Sequence, residues 1–186
     1  ALRVFDQVYD DIDPANIEGI EPSLAAEFAS DNPLVPAAAD ELADMCEDII
    51  ARWHSGRIQV FPGPSNPLRC GDDLLIACHQ IAERHDLGIH THLLETKIQQ
   101  SIADQRNGHS TIEHLRSLGL LDHRWSFAHT IWVEDRDIEL LADSGAVVVH
   151  NPHSNAKLGA GVAPVARMLE RGVTVALGTD GASTND

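Results

Sequence analysis

Short apolar segments that each end in a histidine or an aspartate constrain the fold of this chain more than any other feature. The segments cover 88–93, 125–128, 146–149 and 173–178. The polar residues at their ends are His92, His129, His150 and Asp180. Sequence with helical spacing separates the segments, and the carboxyl ends of parallel strands in an α/β barrel meet at one face, where active sites form. The pattern therefore predicts a metal site at that face of a parallel α/β barrel.

Apolar periodicity predicts strands and helices in alternation along most of the chain. Strands are predicted over 2–9, 57–61, 87–93, 125–132, 146–150 and 173–177. Helices are predicted over 36–53, 73–85, 96–105, 111–118, 135–144 and 162–171. One apolar face of the first helix is predicted to contain Leu42, Met45, Ile49 and Ile50. Such an alternation implies a parallel sheet with right-handed crossovers, which is the α/β class.

Two stretches lack this regularity. Residues 10–36 are acidic and contain proline, and we interpret them as a loop with a short helix around 23–28. This loop is either a lid over the active site or a surface insertion. Residues 62–67 are too rich in proline and glycine for regular structure, and they predict a turn.

The composition argues against several classes of partner and of site. The chain has 186 residues, enough for one domain with a hydrophobic core, and its formal net charge of −16 argues against nucleic acid or an anionic membrane as a partner. Its three cysteines are odd in number and lack C-x-x-C spacing, so neither a disulfide framework nor a cysteine zinc site is expected. Because no membrane-spanning stretch and no signal-peptide pattern is found, we expect a cytoplasmic protein.

Residues two apart on a strand face the same side, so His90 and His92 should share one side of their strand, with Glu95 just past its end. His90 lies deeper in the strand and is interpreted as a packed core histidine. His92, His129 and Asp180 are interpreted as ligands, because zinc and iron accept imidazole and carboxylate together. The metal would lower the pKa of a water toward neutrality, and Glu95 would carry a proton to the leaving part of the substrate.

Motifs of other enzyme classes are missing from the sequence. It contains no H-E-x-x-H of zinc proteases, no G-x-S-x-G of α/β-hydrolases and no glycine-rich phosphate loop. The H-x-E and P-C-x-x-C signature of cytidine deaminases is missing as well. These absences leave the barrel metal site as the main prediction.

Four motifs, in order and with matching spacing, resemble those of the amidohydrolase superfamily. They cover 89–96, 128–132, 150–164 and 178–186. The branch that the chain resembles contains chlorohydrolases and aminohydrolases, including deaminases of cytosine, guanine, adenosine-like compounds and triazines. The resemblance extends over about 57–186 and implies the (β/α)8 TIM barrel of a metal-dependent hydrolase, with only about strands 3 to 8 present.

The resemblance also implies a role for each site residue. His92 resembles the metal ligand of the fifth barrel strand. Asp180 resembles the aspartate of the eighth strand, which binds the metal and takes a proton from water. His129 resembles the sixth-strand histidine that orients water and substrate and approaches the metal, and Glu95 resembles the acid that protonates the substrate ring. The implied cofactor is one divalent metal ion, zinc first and iron second.

The implied reaction is the hydrolytic deamination of a nitrogen heterocycle, such as a purine, pyrimidine, pterin or triazine, by metal-activated water. The residues predicted to contact this small-molecule substrate are Glu95, Ser65, Asn66, Arg69 and Asn155. Asn155 is interpreted as structural first and substrate-binding second. Adenosine-type deaminases have a histidine and a tyrosine where this chain has Ser65, Asn66 and Arg69, which counts against a nucleoside and leaves the ring open.

The chain departs from the family pattern at its beginning. The His-x-His pair of the family's first strand, which supplies two metal ligands, has no counterpart before 90–92. We therefore expect residues 1–186 to be a partial TIM-barrel domain that lacks the first two strands, the final helix and the β-sandwich. Such a fragment is expected to be unstable or inactive alone, and the full-length protein is expected to form a homodimer or a larger assembly.

Two alternatives to a deaminase remain. On the same fold, the enzyme would remove chloride or another ring substituent. In a different class, the chain would be a noncatalytic remnant, which the missing first-strand ligands favour and the intact set of site residues opposes.

Overall fold

The computed structural model describes residues 2–4 and 37–184, with side chains for the second range. The strands of these ranges are parallel and form two sheets. The smaller sheet pairs β1 (Leu2–Val4) with β2 (Pro62–Pro64). The larger sheet contains, in sequence order, β3 (Ile89–Leu93), β4 (Trp125–His129), β5 (Val147–His150) and β6 (Thr174–Leu177). This order confirms the predicted α/β class.

Helices connect the strands of the larger sheet and flank the smaller one. They are α1 (Ala39–Trp53), α2 (Asp72–His85), α3 (Lys97–Asn107), α4 (Thr111–Ser117), α5 (Asp135–Ser144), α6 (Pro152–Lys157) and α7 (Val165–Glu170). Side-chain caps set where two of them begin: Thr96 accepts the Gln99 N–H at α3, and Ser110 accepts the Glu113 N–H at α4.

Strand β3 shows how the sheet separates its core from its site. Ile89, Thr91 and Leu93 are buried, whereas the alternate residues His90 and His92 are only half-buried and face the other side. One face of the strand therefore contributes to the hydrophobic core, and the opposite face presents imidazoles.

The prediction of a strand over 57–61 is wrong. The N–H groups of Arg57 and Ile58 donate to the Ser55 hydroxyl, and that of Val60 donates to the His54 ring. These N–H groups are therefore not available for hydrogen bonds to a neighbouring strand. The strand lies instead at Pro62–Pro64, where a turn was predicted. Proline is compatible with extended backbone, and a short edge ladder tolerates its missing N–H.

Three further expectations need correction. Met45 is 40% exposed, and the buried stripe of α1 consists of Leu42, Cys46 and Ile50, at a spacing of four residues. Strand β4 ends at His129 and not at 132. Helix α6 was not predicted, because its buried residues are the polar Ser154 and Asn155 and it has no apolar stripe.

Several predictions lie partly or wholly outside the described residues. They are the strand at 2–9 beyond Val4, the loop or lid at 10–36 and the helix around 23–28. Among the described residues, no helix is long and apolar enough to cross a membrane.

Candidate metal centre

Three side chains from separate strand ends converge at the carboxyl edge of the larger sheet. His92 lies in β3, His129 ends β4, and Asp180 follows β6. One ligand atom from each lies within 4.8 Å of the others. Parallel strands with adjacent order bring these positions together, because the ends of β3, β4, β5 and β6 form one edge.

His92 offers one ring nitrogen to this centre. Its Nδ1 lies 2.6 Å from the main-chain carbonyl oxygen of Ser65, which can only accept, so Nδ1 carries the proton. The lone pair is then on Nε2. The ring stacks on that of His129, with centroids 5.6 Å apart and planes inclined by 16°.

His129 is held in an uncommon backbone conformation at the end of its strand. Its φ is 71° and that of Thr130 is 49°, both in the left-handed region that non-glycine residues rarely occupy. The Thr130 N–H donates to the carbonyl of Leu93 at 2.9 Å, which ties the end of β4 to the end of β3. Such strain is tolerated where surrounding contacts fix it, and it recurs at functional sites.

The buried ring of His129 leaves one nitrogen without a partner among the described residues. The ring is 1% exposed, and Nδ1 donates to Asn155 Oδ1 at 2.8 Å. Nε2 has no hydrogen-bond partner and lies 3.9 Å from both Glu95 Oε1 and Asp180 Oδ2. Burying an unpaired polar atom is costly. An imidazole lone pair facing two carboxylates fits a divalent metal ion, so the donor set suits the expected group.

Asp180 is also in the left-handed region, with a φ of 58°. Ser154 Oγ donates to its Oδ2 at 2.5 Å. Partial burial raises the pKa of Asp180, but the hydrogen bond from Ser154 and the nearby His129 and His92 outweigh it, so the pKa lies below its ordinary value. The carboxylate is therefore ionised and available to a cation at neutral pH.

Glu95 lies on the same face of the sheet as the three ligands, and a hydrogen bond from its main-chain N–H anchors it there. Its N–H donates to Gln99 Oε1 at 2.8 Å, and its side chain is 21% exposed. A partly exposed carboxyl group beside a buried histidine can reach both a substrate and solvent, which proton transfer requires.

Gly178 permits the close approach that brings Asp180 to the centre. A Cβ at this position would lie 2.3 Å from Asn151 Oδ1 and 2.7 Å from Val149 Cγ1, both on or just after β5. Only a residue without a side chain fits here without displacing them.

The residues predicted to bind substrate lie in different surroundings. Ser65 and Asn66 are buried, and the Asn66 side chain accepts the Leu68 N–H in a short 3-10 turn, Pro67–Arg69. Arg69 is half-buried. Asn155 is 2% exposed and contacts His129. Their contact with substrate stays a prediction.

Sequence reasoning missed Ser154 and Asn151. Ser154 is fully buried, and Asn151 has an unpaired Oδ1 among the described residues. The signal was present, since both lie in the polar segment that follows β5 and could not serve a hydrophobic core. His90 is half-buried, and its Nδ1 pairs with Ser126 Oγ at 2.8 Å; its structural role stays a prediction.

Curated proteins similar to this chain are deaminases by name. A 5'-deoxyadenosine deaminase of Methanothermobacter thermautotrophicus is 44% identical over 130 residues, which are 70% of this chain and 30% of that protein. A 5-methylthioadenosine/S-adenosylhomocysteine deaminase of Syntrophobacter fumaroxidans is 41% identical over 141 residues, which are 75% of this chain and 32% of that protein. The chain thus spans about a third of the length of these relatives.

The fold has matches among solved structures. The zinc complex of an atrazine chlorohydrolase from Arthrobacter aurescens TC1 superposes with a TM-score of 0.78 and 27% identity, covering 84% of this chain and 35% of that one. The model of the amidohydrolase family matches residues 12–186. On this match, and on the agreement of fold and relatives, the chain belongs to the amidohydrolase family.

Proposed function

We propose that the protein containing this chain is a metal-dependent hydrolase that deaminates the purine ring of an adenosine derivative. The observation that carries the proposal is the unpaired Nε2 of buried His129, which faces Glu95 and Asp180. An arrangement of imidazoles and carboxylates at the carboxyl edge of a parallel sheet is the kind of site from which hydrolytic chemistry proceeds.

His92, His129 and Asp180 would hold the metal ion, which we propose to be zinc. Zinc accepts imidazole nitrogen and carboxylate oxygen, and the chlorohydrolase with this fold is a zinc complex by its printed description. When bound, the ion would lower the pKa of a water and stabilise negative charge near it. The protonated Nδ1 atoms of both histidines leave Nε2 as the donor atom.

Two carboxylates would divide the proton transfers. Asp180, ionised at neutral pH, would accept a proton from the attacking water. Glu95 would protonate a ring nitrogen, which makes the adjacent carbon electrophilic. The proton taken up by Asp180 would pass to the amino group, which departs as ammonia, while the new hydroxyl would return a proton to Glu95 as the ring carbonyl forms. His129, fixed by Asn155, would direct its Nε2 toward the ion, between these two carboxylates.

Support for an adenosine derivative comes from the relatives. Both deaminases described above act, by name, on adenosine derivatives that differ at the 5' position. The names of these relatives favour a nucleoside substrate. The residues at 65, 66 and 69 counted against a nucleoside, because they differ from the histidine and tyrosine of adenosine-type deaminases. We propose that the loop containing Ser65, Asn66 and Arg69 contacts the substrate and accounts for any difference in specificity.

The proposal is tested by ammonia release from 5'-deoxyadenosine and 5-methylthioadenosine, using the longest natural protein that contains this chain. We expect turnover that a chelator abolishes and zinc restores. Glu95→Gln should lower kcat by about 10²–10⁴-fold, because an amide cannot donate the proton. Glu83→Gln, an exposed change of the same type on α2, is the matched control. Full turnover of the Glu95→Gln variant would refute the proton role, and no turnover by the unmodified protein with zinc would favour the noncatalytic remnant.

A second candidate is hydrolytic dechlorination. It is favoured by the structural match to the atrazine chlorohydrolase. Chloride release from a chlorinated triazine without ammonia release from the nucleosides would select it. Three other expectations stay predictions. They are a single partial barrel domain over residues 1–186, a homodimer or larger assembly, and a cytoplasmic location.

A further inference from the structure

Two consecutive side chains of α6, Ser154 and Asn155, contact different members of the candidate metal centre. Ser154 Oγ donates to Asp180 Oδ2 at 2.5 Å, and Asn155 Oδ1 accepts from His129 Nδ1 at 2.8 Å. Ser154 is 0% exposed and Asn155 is 2% exposed, so both side chains make these contacts from inside the fold. We call these two residues the α6 pair.

The backbone of α6 explains how neighbouring residues reach two targets. The Asn155 N–H donates to the carbonyl of Asn151 at 2.9 Å, and the Leu158 N–H donates to that of Ser154 at 2.9 Å, which anchors both residues in one helical turn. Consecutive helical positions diverge by about 100° around the axis. Ser154 therefore points to the segment after β6, while Asn155 points to the end of β4.

The contact with Asn155 determines which nitrogen of His129 has the lone pair. A neutral imidazole carries one proton, and a carbonyl oxygen can only accept a hydrogen bond. The proton is thus on Nδ1, and Nε2 is left facing Glu95 and Asp180 at 3.9 Å. The hydroxyl of Ser154 similarly fixes the rotation of the Asp180 carboxylate.

We propose that the α6 pair consists of positioning residues, which fix the tautomer of His129 and the orientation of the Asp180 carboxylate before the metal binds. The inference rests on the proposed metal centre, but it concerns groups that can be observed without a metal. Neither residue of the pair needs to touch the substrate in this role.

The first test measures the His129 tautomer in the metal-free form of the longest natural protein that contains this chain, by long-range ¹H–¹⁵N correlation at a pH where the ring is neutral. We expect the Nδ1–H form in the unmodified chain and in Asn155→Asp, which keeps an acceptor oxygen. Asn155→Ala should give a mixture of tautomers. The Nε2–H form in the unmodified chain would overturn the inference even if no variant folds, and so would an unchanged tautomer in a folded Asn155→Ala chain.

The second test measures zinc affinity by competition with a chromogenic chelator. Ser154→Ala and Asn155→Ala should each weaken binding by about 10–100-fold, the usual effect of losing a group that orients a ligand. Asn155→Asp should restore most of the affinity, and His153→Gln, an exposed change on α6, should match the unmodified chain. Unchanged affinity in both alanine variants would overturn the inference. If the unmodified chain binds no zinc, the proposed metal centre fails, and the tautomer measurement alone decides the role of Asn155.

Discussion

At the scale of single residues, the site depends on backbone conformations that the sequence does not display. His129, Thr130 and Asp180 all have positive φ, and none is glycine. Motif spacing could place His129 and Asp180 at strand ends, because each follows an apolar segment. It could not reveal that Nδ1 of His129 pairs with Asn155, since that contact joins residues 26 apart through tertiary packing.

Gly178 offers a residue-scale prediction. Gly178→Ala should destabilise the chain by about 1–3 kcal/mol, because the new methyl group would overlap Asn151 Oδ1 and Val149 Cγ1. The free energy of unfolding in denaturant measures this. Gly181→Ala is the matched control, since its Cβ would meet only Ser183 Oγ at 3.9 Å. Equal stability of the two variants would show that the segment before Asp180 does not need this close approach.

At the scale of elements, the sequence predicted the regular βα units and missed the irregular ones. Strand β3 alternates buried and half-buried positions, and strands β4 to β6 are short, mainly apolar runs between helical segments, so all four could be predicted. The segment at 57–61 looked equally apolar, but Ser55 and His54 occupy its N–H groups. Helix α6 escaped prediction because its buried positions are Ser154 and Asn155, which face the site and not the core.

Asp137 connects two of these elements. It accepts hydrogen bonds from the Ser110 hydroxyl, which caps α4, and from the Glu134 N–H at the start of α5, at 2.9 Å for the latter. Burial raises the pKa of Asp137, and these hydrogen bonds oppose that effect. Asp137→Ala should cost about 2 kcal/mol, since the Ser110 hydroxyl and the Glu134 N–H, both in part-buried hydrogen bonds, lose their acceptor. Asp143→Ala, an exposed change on α5, should cost less than about 0.5 kcal/mol. A similar midpoint of thermal unfolding for both variants would contradict this.

At the scale of the whole molecule, the described residues present a four-stranded sheet with an exposed margin. Leu177 of β6 is 80% exposed, whereas the residues of β3 and β4 that face the helices are buried. The order of strands and the family could be predicted from the motifs, because four motifs agree with the family in both order and spacing. The substrate could not, because the loop at 65–69 uses Asn66 for its own turn and shows no substrate-specific pattern.

The central claim is that His92, His129 and Asp180 bind one divalent metal ion, and zinc titration of the longest natural protein that contains this chain tests it most directly. We expect saturation at about one ion per chain. At a zinc concentration about 100-fold above Kd, the free energy of unfolding should rise by about 2.7 kcal/mol. Magnesium, which prefers oxygen ligands, should give no such rise. His92→Ala and Asp180→Ala should lose the stabilisation, while His153→Gln keeps it. Equal zinc stabilisation of the His92→Ala chain, or none in the unmodified chain, would contradict the account.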